Sequence, residues 1–267
     1  MPQGSITDYA ESLAIKLALG QATLASVLTT YVGFVTTVPS DAGGYTGELN
    51  GTYLSGAGRI ALDFSPAAGK RMANASSTVL NTVITDAPAA VVGTAGYDSA
   101  TWGAGNMIWF IPCEPHILKA GDTQKIDAGS IVIKAAGNWT IAGGNWMLDL
   151  LGGNTTQASA MTPYMGLWNQ LPTDDIGTNG VEVTATNYAR KPLAGLFSTP
   201  TVGQAVNTTL VNFTSTAWTT DAGDITGVGI WTALAGTLYL YASTPSKRYV
   251  AGDPVVYPVG AMVFQGD

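Results

Sequence analysis

A chain of 267 residues exceeds one average domain and suits two of roughly 130 residues, each with its own core. Charged residues make up 11% of it, against about 25% in a typical soluble domain, so a surface largely covered by neighbours in an assembly is expected. A net charge of −7 argues against nucleic acid as a partner, and the lack of any run of 18 apolar residues excludes a membrane-spanning helix.

The first predicted element is a helix over about 6–19. Ser5 and Thr7 are N-cap candidates, Asp8 and Glu11 suit the positive helix end, and Gly20 can terminate it. Tyr9, Leu13 and Leu17, flanked by Ala10, Ala14 and Ala18, form an apolar stripe. Packing on its own β domain is the preferred reading and docking onto a neighbour the other. Strands follow at Tyr31–Val35, Arg59–Phe64 and Asn106–Ile111, rich in β-branched and aromatic residues. Val38-Pro39-Ser40-Asp41-Ala42-Gly43 reads as a turn, and Cys113-Glu114-Pro115-His116 as a loop between strands. Ile131–Ile133 closes this half. A shorter helix is expected over about 145–151, then strands at Thr237–Tyr241 and Met262–Phe264.

The two halves are copies of one unit. Over Leu17–Phe34 and Leu150–Leu167, eight of eighteen positions are identical without a gap. The same offset aligns Tyr31 with Tyr164, Pro39 with Pro172 and Phe64-Ser65 with Phe197-Ser198. At the far end, Ala120-Gly121-Asp122 aligns with Ala251-Gly252-Asp253, and Gly129 with Gly260. The expected fold class is mainly β, as two tandem antiparallel sandwich or jelly-roll-like domains over 1–137 and 138–267.

The order of these features resembles the phage tail fibre proteins, a family of tailed-phage virion proteins. The matching residues are Asp8-Tyr9-Ala10-Glu11, Tyr31-Val32-Gly33-Phe34 and Pro39-Ser40-Asp41-Ala42-Gly43 in the first copy. In the second they are Tyr164-Met165-Gly166-Leu167, Pro172-Thr173-Asp174, Tyr188-Ala189-Arg190, Trp218 with Gly227-Val228-Gly229-Ile230, and Ala251-Gly252-Asp253. Copy one departs from the pattern: Arg59 follows Gly58 instead of Tyr-Ala, and Trp102 lies too near Ala120 to match Trp218.

No residue is assigned a catalytic, cofactor-binding or metal-binding role. Cys113 and His116 are each the only one of their kind, and their counterparts in copy two are Thr244 and Lys247. Asp41 and Asp174-Asp175 sit in turns and match no calcium loop. Of the four glutamates, Glu48 and Glu182 occupy nearly equivalent places, which reads as a shared structural position, whereas glycoside hydrolysis would need two convergent carboxylates. Most aromatic rings fall on strands and read as packing groups, while Trp139, Trp146 and Trp168 are expected at the seam between copies.

Positions 1–20 carry no basic stretch followed by an apolar core, so no secretory signal is expected, and the single cysteine fits folding in the host bacterial cytoplasm. The expectation is a non-enzymatic structural component of the virion surface, with capsid decoration (a cement protein) preferred. The alternative is a tail-fibre or tail-associated protein that binds a receptor or glycan. Expected partners are the major capsid protein or tail proteins and further copies of the chain, as a homo-oligomer and, by analogy with lattice decoration, a trimer. Neither nucleic acid nor membrane is expected as a partner.

Overall fold

The computed structural model describes residues 5–135, 139–172, 179–213 and 218–265. Two compact units form, each from three segments. One contains Met1–Ser12, Ala25–Ala135 and Asn145–Thr156; the other contains Leu13–Leu24, Ala136–Gly144 and Gln157–Asp267.

In the first unit, β1 (Ser5–Ile6), β2 (Thr30–Val35), β3 (Ile60–Leu62), β6 (Val91–Tyr97) and β7 (Met107–His116) form a five-stranded sheet. Its order is β1-β7-β6-β2-β3, and every pairing is antiparallel. Beside it, β4 (Arg71–Ala73) pairs with β9 (Val132–Lys134), and β5 (Thr78–Thr82) with β8 (Thr123–Ile126). The second unit repeats this plan. Strand β10 (Tyr164–Gln170) lies between β15 (Gly223–Trp231) and the short β11 (Val181–Glu182) and β12 (Lys191–Pro192), and β16 (Leu238–Tyr249) forms the far edge. Two ribbons complete it, β13 (Gln204–Val206) with β18 (Val263–Gln265) and β14 (Val211–Asn212) with β17 (Val256–Tyr257). The expected mainly β, antiparallel class holds, built in each unit from one larger sheet and two ribbons.

Register confirms the duplication residue by residue. Tyr31 pairs with Tyr97 as Tyr164 pairs with Trp231, and Phe64 bridges Asn74 as Phe197 bridges Asn207. Asn74 and Asn207 are buried and hold the same clasp. Each Oδ1 accepts a backbone N–H, from Ile131 or Met262, and each Nδ2 donates to two carbonyls. This satisfies a buried amide almost fully, which is the condition for tolerating it in a core.

Helix α1 (Asp8–Ala18) begins at Thr7, whose Oγ1 accepts from Ala10 N–H and donates to the Met107 carbonyl at 2.5 Å. Thr140 does the same for α2 (Ile141–Leu151), accepting from Gly143 N–H at 3.1 Å and donating to the Leu238 carbonyl at 2.7 Å. Ser5, the other cap candidate, lies in β1. The second helix therefore starts four residues before the expected 145 and is as long as the first. Gly143 and Gly144 concealed it, because glycine reads as a breaker. A Cβ on Gly143 would stand 2.3 Å from the Tyr239 carbonyl oxygen, so close packing demands glycine there. Both helices end on a positive-φ glycine, Gly20 or Gly153, with a bond from the following residue back to Lys16 or Asp149.

The helices also exchange their trailing ends. Within the second unit, the segment after α1 is fixed by Gln21, whose Nε2 donates to the Phe197 and Ser198 carbonyls, and by a two-way bridge between Leu24 and Gln157. Within the first unit, Asn154 Nδ2 donates to the Ser65 carbonyl, Asp149 accepts from Ala67 N–H and Asn145 from Lys70 N–H. Since Gln21 aligns with Asn154 and Ser198 with Ser65, the exchange is reciprocal. The first half of each helix thus lies with its own copy and the second half with the other, where the sequence left one choice or the other open. Ile15 and Leu19, outside the expected stripe, are accordingly buried too.

Because each unit is completed by a segment from the other copy, heat or denaturant should unfold the chain in one transition. Near- and far-ultraviolet dichroism should coincide through it; two separated transitions would contradict the exchange.

Candidate functional site

In each unit a guanidinium is clamped by a glutamate, fully buried in the first and partly exposed in the second. Arg59 meets Glu48 through two parallel bonds, Nε to Oε1 at 2.5 Å and Nη2 to Oε2 at 2.8 Å, with side chains 0% and 3% exposed. Its remaining Nη1 donates to the Ser99 and Ala104 carbonyls, and its plane lies 3.6 Å from the centre of the Tyr97 ring. Arg190 repeats the design against Glu182 at 2.9 and 2.8 Å, with Nη1 on the Leu234 carbonyl and the guanidinium 3.9 Å from the centre of the Trp231 ring. Trp231 in turn stacks on Trp168 at 5.4 Å.

Glycines make room for these groups. A Cβ on Gly33 would stand 2.9 Å from Glu48 Oε1, and one on Gly166 would stand 2.7 Å from Glu182 Oε1. That is the physical content of the Tyr-Val-Gly-Phe and Tyr-Met-Gly-Leu motifs. The two centres differ in one donor. Tyr188 Oη donates to Glu182 at 2.8 Å and accepts from Leu167 N–H; in the first unit Gly103 N–H donates to Glu48 instead. The departure of Arg59 from the Tyr-Ala-Arg pattern thus alters one supporting bond and leaves the ion pair intact. The position of Trp218 is held in copy one by Val83, since the Gly121 and Gly252 N–H groups donate to the Val83 and Trp218 carbonyls respectively. Both residues are buried.

The chemistry of such a centre is that of a clamp, in which both carboxylate oxygens meet the guanidinium edge. The shared structural position expected for Glu48 and Glu182 is what the geometry displays. Their arginine partners went unassigned, and the signal that could have found them is the offset, 131 for the arginines against 134 for the glutamates.

Cys113 and His116 lie on β7 itself and not in a loop, a correction caused by a bulge opposite Val92 that lets Pro115 sit in a strand. The Cys113 Sγ is 4.0 Å from His116 Nδ1, which contacts the Glu114 carbonyl at 2.9 Å. Burial, then the nearby Glu114 charge, pushes the thiol pKa up, the opposite of what an activated nucleophile needs. Asp41 is exposed in its turn, where its carbonyl accepts from Asp8 N–H at 3.1 Å; Asp174 and Asp175 lie outside the described residues. Among the described residues no group of three His, Cys, Asp or Glu side chains could hold a metal ion. Of the tryptophans expected at a seam, Trp139 is buried and bridges Leu240 through its backbone, and Trp168 is buried and stacks on Trp231.

Two outcomes follow. Removing one partner of the fully buried pair, as in Glu48→Ala, should cost about 3–5 kcal/mol in chemical denaturation, more than Glu182→Ala at the partly exposed pair. Tyr9 and Tyr257 are pushed up to about 12 and Tyr97 and Tyr188 higher still, chiefly by burial. The folded state thus retains protons that the unfolded chain releases near pH 10. Stability should hold below pH 10 and fall as pH rises through 12, read as a declining melting temperature; a flat profile over that interval would contradict it.

A family model described as podophage GP4 fiber I protein gp80 matches the chain twice, over residues 5–134 and 138–265. No curated protein matches it.

Proposed function

The chain belongs to the podophage GP4 fiber I protein gp80 family, in two tandem copies, and on that premise we propose that it is a non-enzymatic building block of a fibre on the phage particle. The observation that carries this reading is that one fibre-protein family model matches the chain twice, over residues 5–134 and 138–265. Support comes also from the two repeated polar centres, where each guanidinium is engaged by a glutamate, a backbone carbonyl and a ring face.

The fibre role is preferred over capsid decoration because the family is described by a fibre protein, while the charge-poor surface suits either assembly. On this reading the copies run over 1–137 and 138–267, and the chain is made in the host cytoplasm and lies on the particle surface. Its partners are other structural proteins of the virion and further copies of itself. Antibody-gold labelling of intact particles, with copy number from quantitative mass spectrometry, tests the proposal. Label at the tail region with at most a few dozen copies is expected; hundreds of copies over the head would establish decoration instead.

A further inference from the structure

The two copies diverge in concert at one place. Leu80, Leu118 and Ile126 are buried aliphatic residues of the first unit. Their counterparts in the second are Phe213, Tyr249 and Tyr257. Two contacts fix the correspondence: the Ala87 and Ala222 N–H groups donate to the Leu118 and Tyr249 carbonyls, and Thr78 pairs with Ile126 as Val211 pairs with Tyr257. The fold therefore works with aliphatic side chains at these positions. Phe213 stays buried and meets Tyr257 edge-on at 6.3 Å, while Tyr249 and Tyr257 are only partly buried.

Those two rings border an open groove of about 320 Å³ lined by Ile225, Thr244, Pro245, Ser246 and Lys247 as well. That volume is at the lower end of small-molecule sites. The groove lies where three residues of β16, Thr244 to Ser246, oppose Thr226 alone, a bulge of the kind found beside binding sites. Its chemistry is mixed, with apolar walls from Ile225 and Pro245, hydroxyls from Thr244, Ser246 and Tyr257, and one cation. Lys247 Nζ is held 4.8 Å from the centre of the Tyr249 ring, and among the described residues it has no carboxylate partner. An ammonium placed by a ring at the rim of a groove offers an anion one local contact against the repulsion of a chain of net charge −7.

We infer that this groove of the second unit binds an anionic sugar unit of a polysaccharide, with Lys247 on the carboxylate, the hydroxyls on ring oxygens, and Tyr257 and Pro245 against the apolar C–H face. An extended acidic peptide fits less well. Although β16 is an edge strand, Pro245 removes a donor and the bulge breaks the edge register that strand addition requires. The inference rests on the groove alone and is independent of where the chain sits on the particle.

The test is calorimetric titration of the full chain with three probes, an alginate hexasaccharide, neutral maltohexaose and a hexaglutamate peptide. Binding is expected for the alginate fragment alone. Tyr249→Leu and Tyr257→Ile, which install the first copy's residues, and Lys247→Gln at an exposed position should each weaken it about tenfold or more. No binding of the alginate fragment, equal binding of either other probe, or affinity unchanged in Lys247→Gln would overturn the inference. Thermal unfolding of each variant separates lost binding from lost folding, and Lys247→Gln reads the site even if a tyrosine variant fails to fold.

Discussion

Each unit is organised around a glutamate–arginine pair, and in the first unit that charge has left water. Desolvating a guanidinium and a carboxylate costs several kcal/mol per ion, and only near-complete pairing offsets it. Arg59 reaches that state with two bonds to Glu48, two to carbonyls and a tyrosine face beneath it. These requirements propagate outward. They fix the segment carrying Glu48 against β2, demand glycine at 33 and 166, place a flat ring at 97 and 231, and hold the 99–104 stretch by its carbonyls. A bidentate pair is strict in direction, so it specifies one arrangement of these loops where apolar packing would tolerate several.

The second organising feature is the reciprocal use of helix ends. Asymmetric exchange would leave one unit short of a segment; the reciprocal form completes both with equivalent bonds, Gln21 on the Ser198 carbonyl and Asn154 on the Ser65 carbonyl. Exchange of identical elements between protomers is a common route to dimers. Here both copies are in one chain, so the partner segment is present at the high effective concentration of a tethered neighbour. This gives a physical reason for duplication in a protein of a fibre family: neither unit depends on chain concentration for its missing helix turn.

Much of this was legible in the residues. Identity at one offset established the duplication, alternating aromatic and β-branched residues gave the strands, and Thr7, Gly20 and the Pro39–Gly43 turn were readable from local chemistry. The errors share a cause. Gly143 and Gly144 read as breakers, and Pro115 as a loop residue, because propensity assumes an average neighbourhood. A carbonyl 2.3 Å from a would-be Cβ and a bulge opposite Val92 are particular neighbourhoods. Asn74 and Asn207 passed unnoticed among many exposed asparagines, since burial separates a clasp from a turn residue.

What the sequence determined by itself is therefore whatever depends on nearest neighbours along the chain: two copies, many of their strands and turns, and the cap of the first helix. Only the tertiary structure decided which glutamate met which arginine, which copy received each helix end, and that Tyr249 and Tyr257 border a groove where Leu118 and Ile126 are buried. These outcomes depend on groups from eight to more than a hundred residues apart, whose proximity comes from sheet register and burial.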